Sequence, residues 1–109
     1  MAMENFTWSG YDANQNSHQV LQGFLVLDIQ YSVSRTQEVI QGIERYLAGD
    51  VKEYAGTGNG YEFSCESQGF EIDCLHPDDE QTPVTIEYSM VLLALKEWQA
   101  MCSRREHEP

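Results

Sequence analysis

Two segments in the middle of the chain alternate between apolar and polar residues and predict a β-hairpin. Residues 61–66 (YEFSCE) and 70–75 (FEIDCL) each repeat with a period of two, which is typical of strands with one buried face. The residues SQG at 67–69 between them favour a short turn. In the hairpin register that follows, one face of the pair is apolar and the other is acidic. The predicted core face holds Tyr61, Phe63, Cys65, Phe70, Ile72 and Cys74.

A hydrophobic period near 3.6 predicts two helices elsewhere in the chain. The first covers residues 34–49, with Ser34 as the N-cap, Gln37 as its capping-box partner and Gly49 as the terminating residue. The second covers residues 89–104 and has a wide apolar face. The apolar stripe of the first helix is formed by Val39, Ile40, Ile43, Tyr46 and Leu47.

Three other apolar segments predict strands. Residues 23–32 (GFLVLDIQYS) are rich in β-branched and aromatic residues, which favours a central strand. Residues 51–56 and 84–88 favour shorter strands, and the GNG sequence at 58–60 is a strong hairpin signal. Residues 12–17 are polar and indicate a turn.

The order of these elements predicts an α+β fold. A strand precedes the first helix and four strands lie between the two helices, which favours one domain spanning residues 1–109, with an antiparallel sheet and two helices packed on it. Residues 1–19 are interpreted as a loosely ordered arm or an edge strand, and residues 105–109 as a tail. A monomer is expected, although pairing of an edge strand leaves a homodimer open.

A large excess of negative charge narrows the class of partner. The chain has 18 acidic and 6 basic residues, for a net charge of −12. Such a chain repels phosphates, which argues against direct binding to nucleic acid or to an anionic membrane. Cations or a basic protein are the expected partners. No apolar run reaches the roughly 18 residues of a membrane span, and the N-terminus has no signal-peptide pattern, so a cytoplasmic protein is predicted.

The acidic face of the predicted hairpin is the leading candidate for a binding site. No lysine or arginine occurs between Lys52 and Lys96, whereas nine acidic residues do. The predicted register places Glu62 directly opposite Asp73, and such like-charge pairs destabilise a sheet. The alternative is that these side chains are merely the solvated face of a half-exposed sheet. The candidate residues for binding a basic partner are Glu53, Glu62, Glu66, Glu71, Asp73 and Glu87.

No catalytic, metal or cofactor motif occurs in the sequence. The glycine-rich segment 56–60 is not followed by a helix, as a phosphate-binding loop would be. The loop at 76–80 (HPDDE) does not have the spacing of a calcium loop. Three cysteines without a CxxC pair indicate neither a disulfide framework nor a zinc site, and we expect Cys65, Cys74 and Cys102 to be reduced and buried. A protein that is not an enzyme and needs no cofactor is predicted.

Two aromatic residues near the N-terminus are candidate interface anchors. Trp8 and Tyr11 lie in an irregular segment, and tryptophan and tyrosine dominate binding hot spots. Other functions stay open. These are an acidic accessory protein, a nucleic-acid mimic that binds a housekeeping DNA- or RNA-binding protein, and a small hydrolase or metal-dependent enzyme that uses Glu62, Glu71 or Asp73 with a histidine.

Several segments together resemble small α+β immunity proteins of bacterial contact-dependent growth inhibition systems and related polymorphic-toxin systems. The resemblance extends over about residues 20–103. It implies a cytoplasmic protein that binds the C-terminal toxin domain of a large exported effector, often a basic nuclease acting on tRNA or other RNA, and blocks it. It carries no catalytic residue over to this chain. The segments are 38–49 (EVIQGIERYLAG), 58–63 (GNGYEF), 70–73 (FEID), 84–88 (VTIEY) and 95–98 (LKEW).

Overall fold

Four antiparallel strands follow one another in space in the same order as in the sequence. The sheet order is β1-β2-β3-β4, and three α-helices complete the α+β fold, which confirms the predicted class. The computed structural model describes residues 6–75 and 82–106. The helices are α1 (Asn16–Phe24), which continues into a π-helical turn (Leu25–Ile29), α2 (Val33–Leu47) and α3 (Tyr88–Glu106). The strands are β1 (Ala55–Thr57), β2 (Tyr61–Glu66), β3 (Gly69–Cys74) and β4 (Val84–Ile86).

The central hairpin confirms the pattern-based prediction. Strand β2 has the predicted limits, and Glu62 pairs with Asp73 in the β2–β3 register. Phe63, Phe70 and Ile72 are buried on the core side, as their alternation predicts. Strand β3 begins one residue early, at Gly69, where an added Cβ would lie 2.6 Å from the carbonyl oxygen of Ile86.

The predicted strand at residues 23–32 is wrong, and this segment is helical. It begins as the end of α1, continues as the π-helical turn and ends at Gln30, whose amide donates to the carbonyl of Leu25 over 2.7 Å. The helical form buries Phe24 against the ring of Phe63, at a centroid distance of 5.6 Å. The indole of Trp98 donates to the carbonyl of Gln30 over 2.8 Å. These contacts between distant parts of the chain favour the helix over local strand propensity.

Helix α2 begins two residues earlier than expected. Ser32, not Ser34, is the N-cap, and its side-chain oxygen accepts the amide of Arg35 over 3.0 Å. The predicted capping box of Ser34 and Gln37 is therefore wrong. Gly49 ends the helix as predicted, with a φ of +82°.

The remaining boundaries shift by a few residues. Strand β1 covers Ala55–Thr57 rather than 51–56, and the predicted turn at 12–17 runs into α1 at Asn16. Strand β4 ends at Ile86 because the carbonyl of Glu87 already accepts the amides of the first turn of α3. No helix in the described parts of the chain is long and apolar enough to cross a membrane.

The helices and the inner side of the sheet share one apolar core. Phe24, Val39, Phe70, Leu95 and Trp98 are each at most 1% exposed. None of the three cysteines is part of a disulfide. Two of them, Cys65 and Cys102, are buried as expected, whereas the third is only half-buried.

Candidate protein-binding surface

The side of the sheet away from the helices carries the predicted acidic residues. We call it the outer sheet face. Every one of its side chains is exposed or half-buried, in contrast to Phe63, Cys65, Phe70 and Ile72 on the core side of β2 and β3. Its residues are Ala55, Thr57, Glu62, Ser64, Glu66, Glu71, Asp73 and Thr85.

The strand register brings carboxylates together on this face. Glu62 lies directly opposite Asp73, and Glu71 lies opposite Ser64 on the same pair of strands. Glu71 is therefore also a diagonal neighbour of Glu62, within the reach of long side chains. The salt bridges of the helices, Arg35–Glu38 and Lys96–Glu44, involve none of these carboxylates.

A shallow hollow of about 410 Å³ lies on the outer sheet face. It is next to β1, whose three residues are Ala, Gly and Thr, and the taller side chains of β2 and β3 form its far side. Small side chains on β1 therefore create the concave shape. The lining residues are Ala55, Gly56, Thr57, Glu62, Phe63, Ser64, Glu71 and Asp73.

The two outlying acidic candidates lie at one end of the face. If the antiparallel register is extended beyond the strand ends, Glu53, just before β1, lies opposite Glu66 at the end of β2. Glu87, just after β4, lies on the other side of Glu66, opposite Gly69 of β3. Both outlying side chains are exposed. Glu53 and Glu66 line a second hollow of about 410 Å³ together with Lys52, which is the cation at this end.

Two polar side chains, Asp28 and Tyr88, hold the ends of β2, and no sequence motif predicted their roles. The carboxylate of Asp28, in the π-helical turn, accepts the amides of Gly60 over 2.8 Å and Tyr61 over 2.9 Å. At the other end, the Tyr88 hydroxyl lies 2.6 Å from the carbonyl oxygen of Glu66 and shares its hydrogen with a second carbonyl. These contacts fix the β2–β3 hairpin against the helices and so position the acidic residues.

A buried thiol, Cys65, and a half-buried phenol, Tyr88, lie beneath the same end of the sheet. Burial raises the pKa of Cys65 to about 11, and burial also raises the pKa of Tyr88. Both groups are therefore neutral near pH 7. Neither has the properties of an activated nucleophile.

The aromatic anchor prediction is wrong for Trp8. Its side chain is 4% exposed, and its indole nitrogen donates to the Met90 sulfur over 2.7 Å. The ring of Tyr11 packs edge-on against it at 4.9 Å, and its hydroxyl lies 3.3 Å from a side-chain oxygen of Gln22. Trp8 therefore belongs to the core, and Tyr11 is a half-buried part of the same cluster.

The described residues show no cluster suited to metal binding. Among residues 6–75 and 82–106, no group of three or more His, Cys, Asp or Glu side chains could hold an ion. His18 accepts the amide of Asp12 through Nδ1 over 2.9 Å and packs near Trp8 and Tyr11. The 76–80 loop lies outside the described residues.

No protein-family model matches this chain, and neither a curated protein nor a solved structure matches it. The outer sheet face is therefore the basis for assigning a function.

Proposed function

We propose that this protein is an immunity protein that binds and neutralises a basic toxin domain, a nuclease of a contact-dependent growth inhibition or related system. The observation that carries the proposal is the outer sheet face, where all the charged side chains are acidic and Glu62 lies directly opposite Asp73. The sequence resemblance described above supports the same class of protein.

The like-charge pair favours a binding role over simple solvation. A solvated strand face needs polar residues, and threonine, lysine or a pair of opposite charges would meet that need at lower energetic cost. Glu62 and Asp73 instead repel each other in the unbound protein. Sites that sacrifice stability in this way are commonly functional.

A nuclease offers the complementary surface. It uses lysine and arginine side chains to hold phosphates, so a carboxylate face can occupy or cover the same cationic region. Opposite charge also accelerates association, up to about 10⁸–10⁹ M⁻¹s⁻¹ at low salt. Rapid capture suits a protein that must act before a toxin damages the cell.

Charge reversal on the outer sheet face tests the proposal. The Glu62→Lys/Asp73→Lys variant should fail to protect cells that co-express the toxin encoded beside its gene. Its free energy of binding to the purified toxin domain should weaken by about 2–5 kcal/mol where Glu62 and Asp73 form desolvated ion pairs with basic residues of the toxin. Wild-type affinity should also fall as salt rises.

The matched control changes the net charge equally at another surface. Glu38→Lys/Asp50→Lys alters two exposed acidic residues in and just after α2. This variant should still protect the cell. Full protection by the Glu62→Lys/Asp73→Lys variant would contradict the proposal, as would an equal loss of protection in both variants.

A further inference from the structure

Strand β1 lies at one edge of the sheet, and its hydrogen-bonding pattern can be derived from its flanking bonds. The amide of Cys65 donates to the carbonyl of Tyr54, and the amide of Gly58 donates to the carbonyl of Tyr61. Bonded and non-bonded pairs alternate in an antiparallel ladder. The middle residue of the strand, Gly56, is therefore the one whose backbone bonds to β2.

The other two residues of β1 present their backbones to the open edge. The N–H and C=O groups of Ala55 and Thr57 point away from β2, and both side chains are exposed. The edge thus offers two donors and two acceptors in line. No strand within residues 6–75 and 82–106 pairs with this edge, and such an edge is a template for another extended chain.

The opposite edge of the sheet differs. Strand β4 packs against α1 and leads almost directly into α3. Pro83, which has no N–H, comes immediately before it. Among the described residues, β1 is therefore the better-suited edge for strand addition.

We propose that β1 binds an extended, basic segment of a partner protein by β-strand addition, with alternate lysine or arginine side chains lying across β1 onto the outer sheet face. This inference rests on the proposed function in taking the partner to be a basic protein. It adds the binding mode and the part of the partner that is recognised.

The size of the β1 side chains supports this occupant. An added strand would lie two strand spacings from β2, roughly 9–10 Å. A lysine or arginine stem can cross Ala55 and Thr57 through the hollow, because apolar stems pack along surfaces while the charge stays at the end. The charge would then meet Glu62, which pairs with Thr57 in the register, and Asp73 beyond it.

Charge argues against a second copy of this chain as the occupant. Pairing of two β1 edges would bring two outer sheet faces side by side, each carrying Glu62, Glu66, Glu71 and Asp73. Each chain also has a net charge of −12. Like charges brought together in this way disfavour association.

The first experiment uses a defined peptide as the probe. A capped peptide of alternating lysine and valine, seven residues long, is added to isotope-labelled protein, and amide hydrogen exchange is followed by NMR. At saturation, exchange at Ala55 and Thr57 should slow by about tenfold or more, whereas Gly56, already bonded to β2, should change less. No slowing at Ala55 and Thr57 at millimolar peptide would overturn the proposal.

A second peptide separates charge from strand pairing. The same lysine–valine sequence with every backbone nitrogen methylated keeps the four charges but has no N–H to donate to a ladder. It should bind at least about tenfold more weakly and leave the exchange at Ala55 unchanged. Equal binding by both peptides would overturn strand addition while leaving a charge-based interface in place.

Variants of the protein complete the test. Ala55→Pro removes one donor from the open edge and no bond to β2, and Ala55→Val adds similar bulk while keeping the N–H. The proline variant should bind the lysine–valine peptide about tenfold more weakly than the valine variant. Equal affinities of the two variants would overturn strand addition. If Ala55→Pro does not fold, the comparison of the two peptides still tests strand addition on the wild-type protein.

The proposed function is read out separately. Glu62→Gln/Asp73→Asn should weaken binding of the toxin domain whether or not β1 accepts a strand. If this variant binds the toxin domain normally, the proposed function fails. If it binds the toxin domain weakly while Ala55→Pro and Ala55→Val bind the lysine–valine peptide with equal affinity, only the proposed binding mode fails.

Discussion

Replacing Glu62 should stabilise the unbound protein, because this residue is repelled by its neighbours. It lies opposite Asp73 and diagonal to Glu71, and such cross-strand pairs contribute about 0.2–1 kcal/mol each. Glu62→Gln removes the repulsion, and Glu62→Lys replaces it with attraction. Since glutamate and lysine have similar, low strand propensities, the charge change should dominate.

The expected gains follow from these magnitudes. Glu62→Gln should raise the free energy of unfolding by about 0.5 kcal/mol, and Glu62→Lys by about 1 kcal/mol. For a chain of this length, 1 kcal/mol corresponds to a shift of about 4 °C in Tm. The same lysine variant should bind a basic partner more weakly, so stability and binding should change in opposite directions.

Urea unfolding measures the effect, since urea is uncharged and does not screen the pair. Each variant is compared at 0.1 M and at 1 M salt, where the screening length falls from about 10 Å to about 3 Å. Gln41→Lys, at an exposed position of α2, changes the net charge as much as Glu62→Gln does and should alter stability by less than about 0.5 kcal/mol. A lysine variant that is less stable than the wild type, or a gain that persists at 1 M salt, would refute the reasoning.

Three further predictions concern the supports of the sheet and the strained backbone, and urea unfolding measures each. Asp28→Asn should lower the free energy of unfolding by about 1.5–3 kcal/mol, because the carboxylate accepts two backbone amides, whereas exposed Asp50→Asn should change little. Gln30→Gly should raise the free energy of unfolding by about 1 kcal/mol, because glycine relieves the strain of a φ of 61° with a ψ of −161°. The control Gln41→Gly, within α2, should lower the free energy of unfolding by about as much. A Gln30→Gly variant that is less stable than the wild type would contradict this prediction. Stability should fall as pH rises from about 9 towards 11, because Cys65 ionises in the unfolded chain before its folded pKa of about 11 is reached, and Cys65→Ala should flatten that decline.

Local pattern was sufficient for the central hairpin and for the face that its acidic residues share. A period of two assigns each side chain to one of two faces, and a short turn fixes the register between the strands. The opposition of Glu62 and Asp73 therefore follows from the alternation of the two strands and the length of their turn. The stop of α2 at Gly49 was equally local, since a positive φ favours glycine.

Other features depended on contacts between distant parts of the chain. The apolar run at 23–32 suits a strand or a buried helix by composition alone, and periodicity cannot distinguish the two over so short a length. Its helical form depends on Phe24 packing against Phe63 and on the bond from Trp98 to Gln30, 68 residues away. The role of Asp28 as a hydrogen-bond acceptor also depends on distant contacts, because its partners Gly60 and Tyr61 are more than 30 residues away in the sequence.

The open edge of β1 was also decided by tertiary structure. The hydrophobic pattern predicted a strand at 51–56, whereas strand β1 covers only Ala55–Thr57, with one further backbone bond to β2 on each side, at Tyr54 and at Gly58. Which edge of a sheet stays uncovered depends on where the helices pack, and strand propensity carries no information about that. Local alternation was enough to specify an acidic strand face, whereas the packing of α1 beside β4 determined that β1, next to that face, is the edge left open.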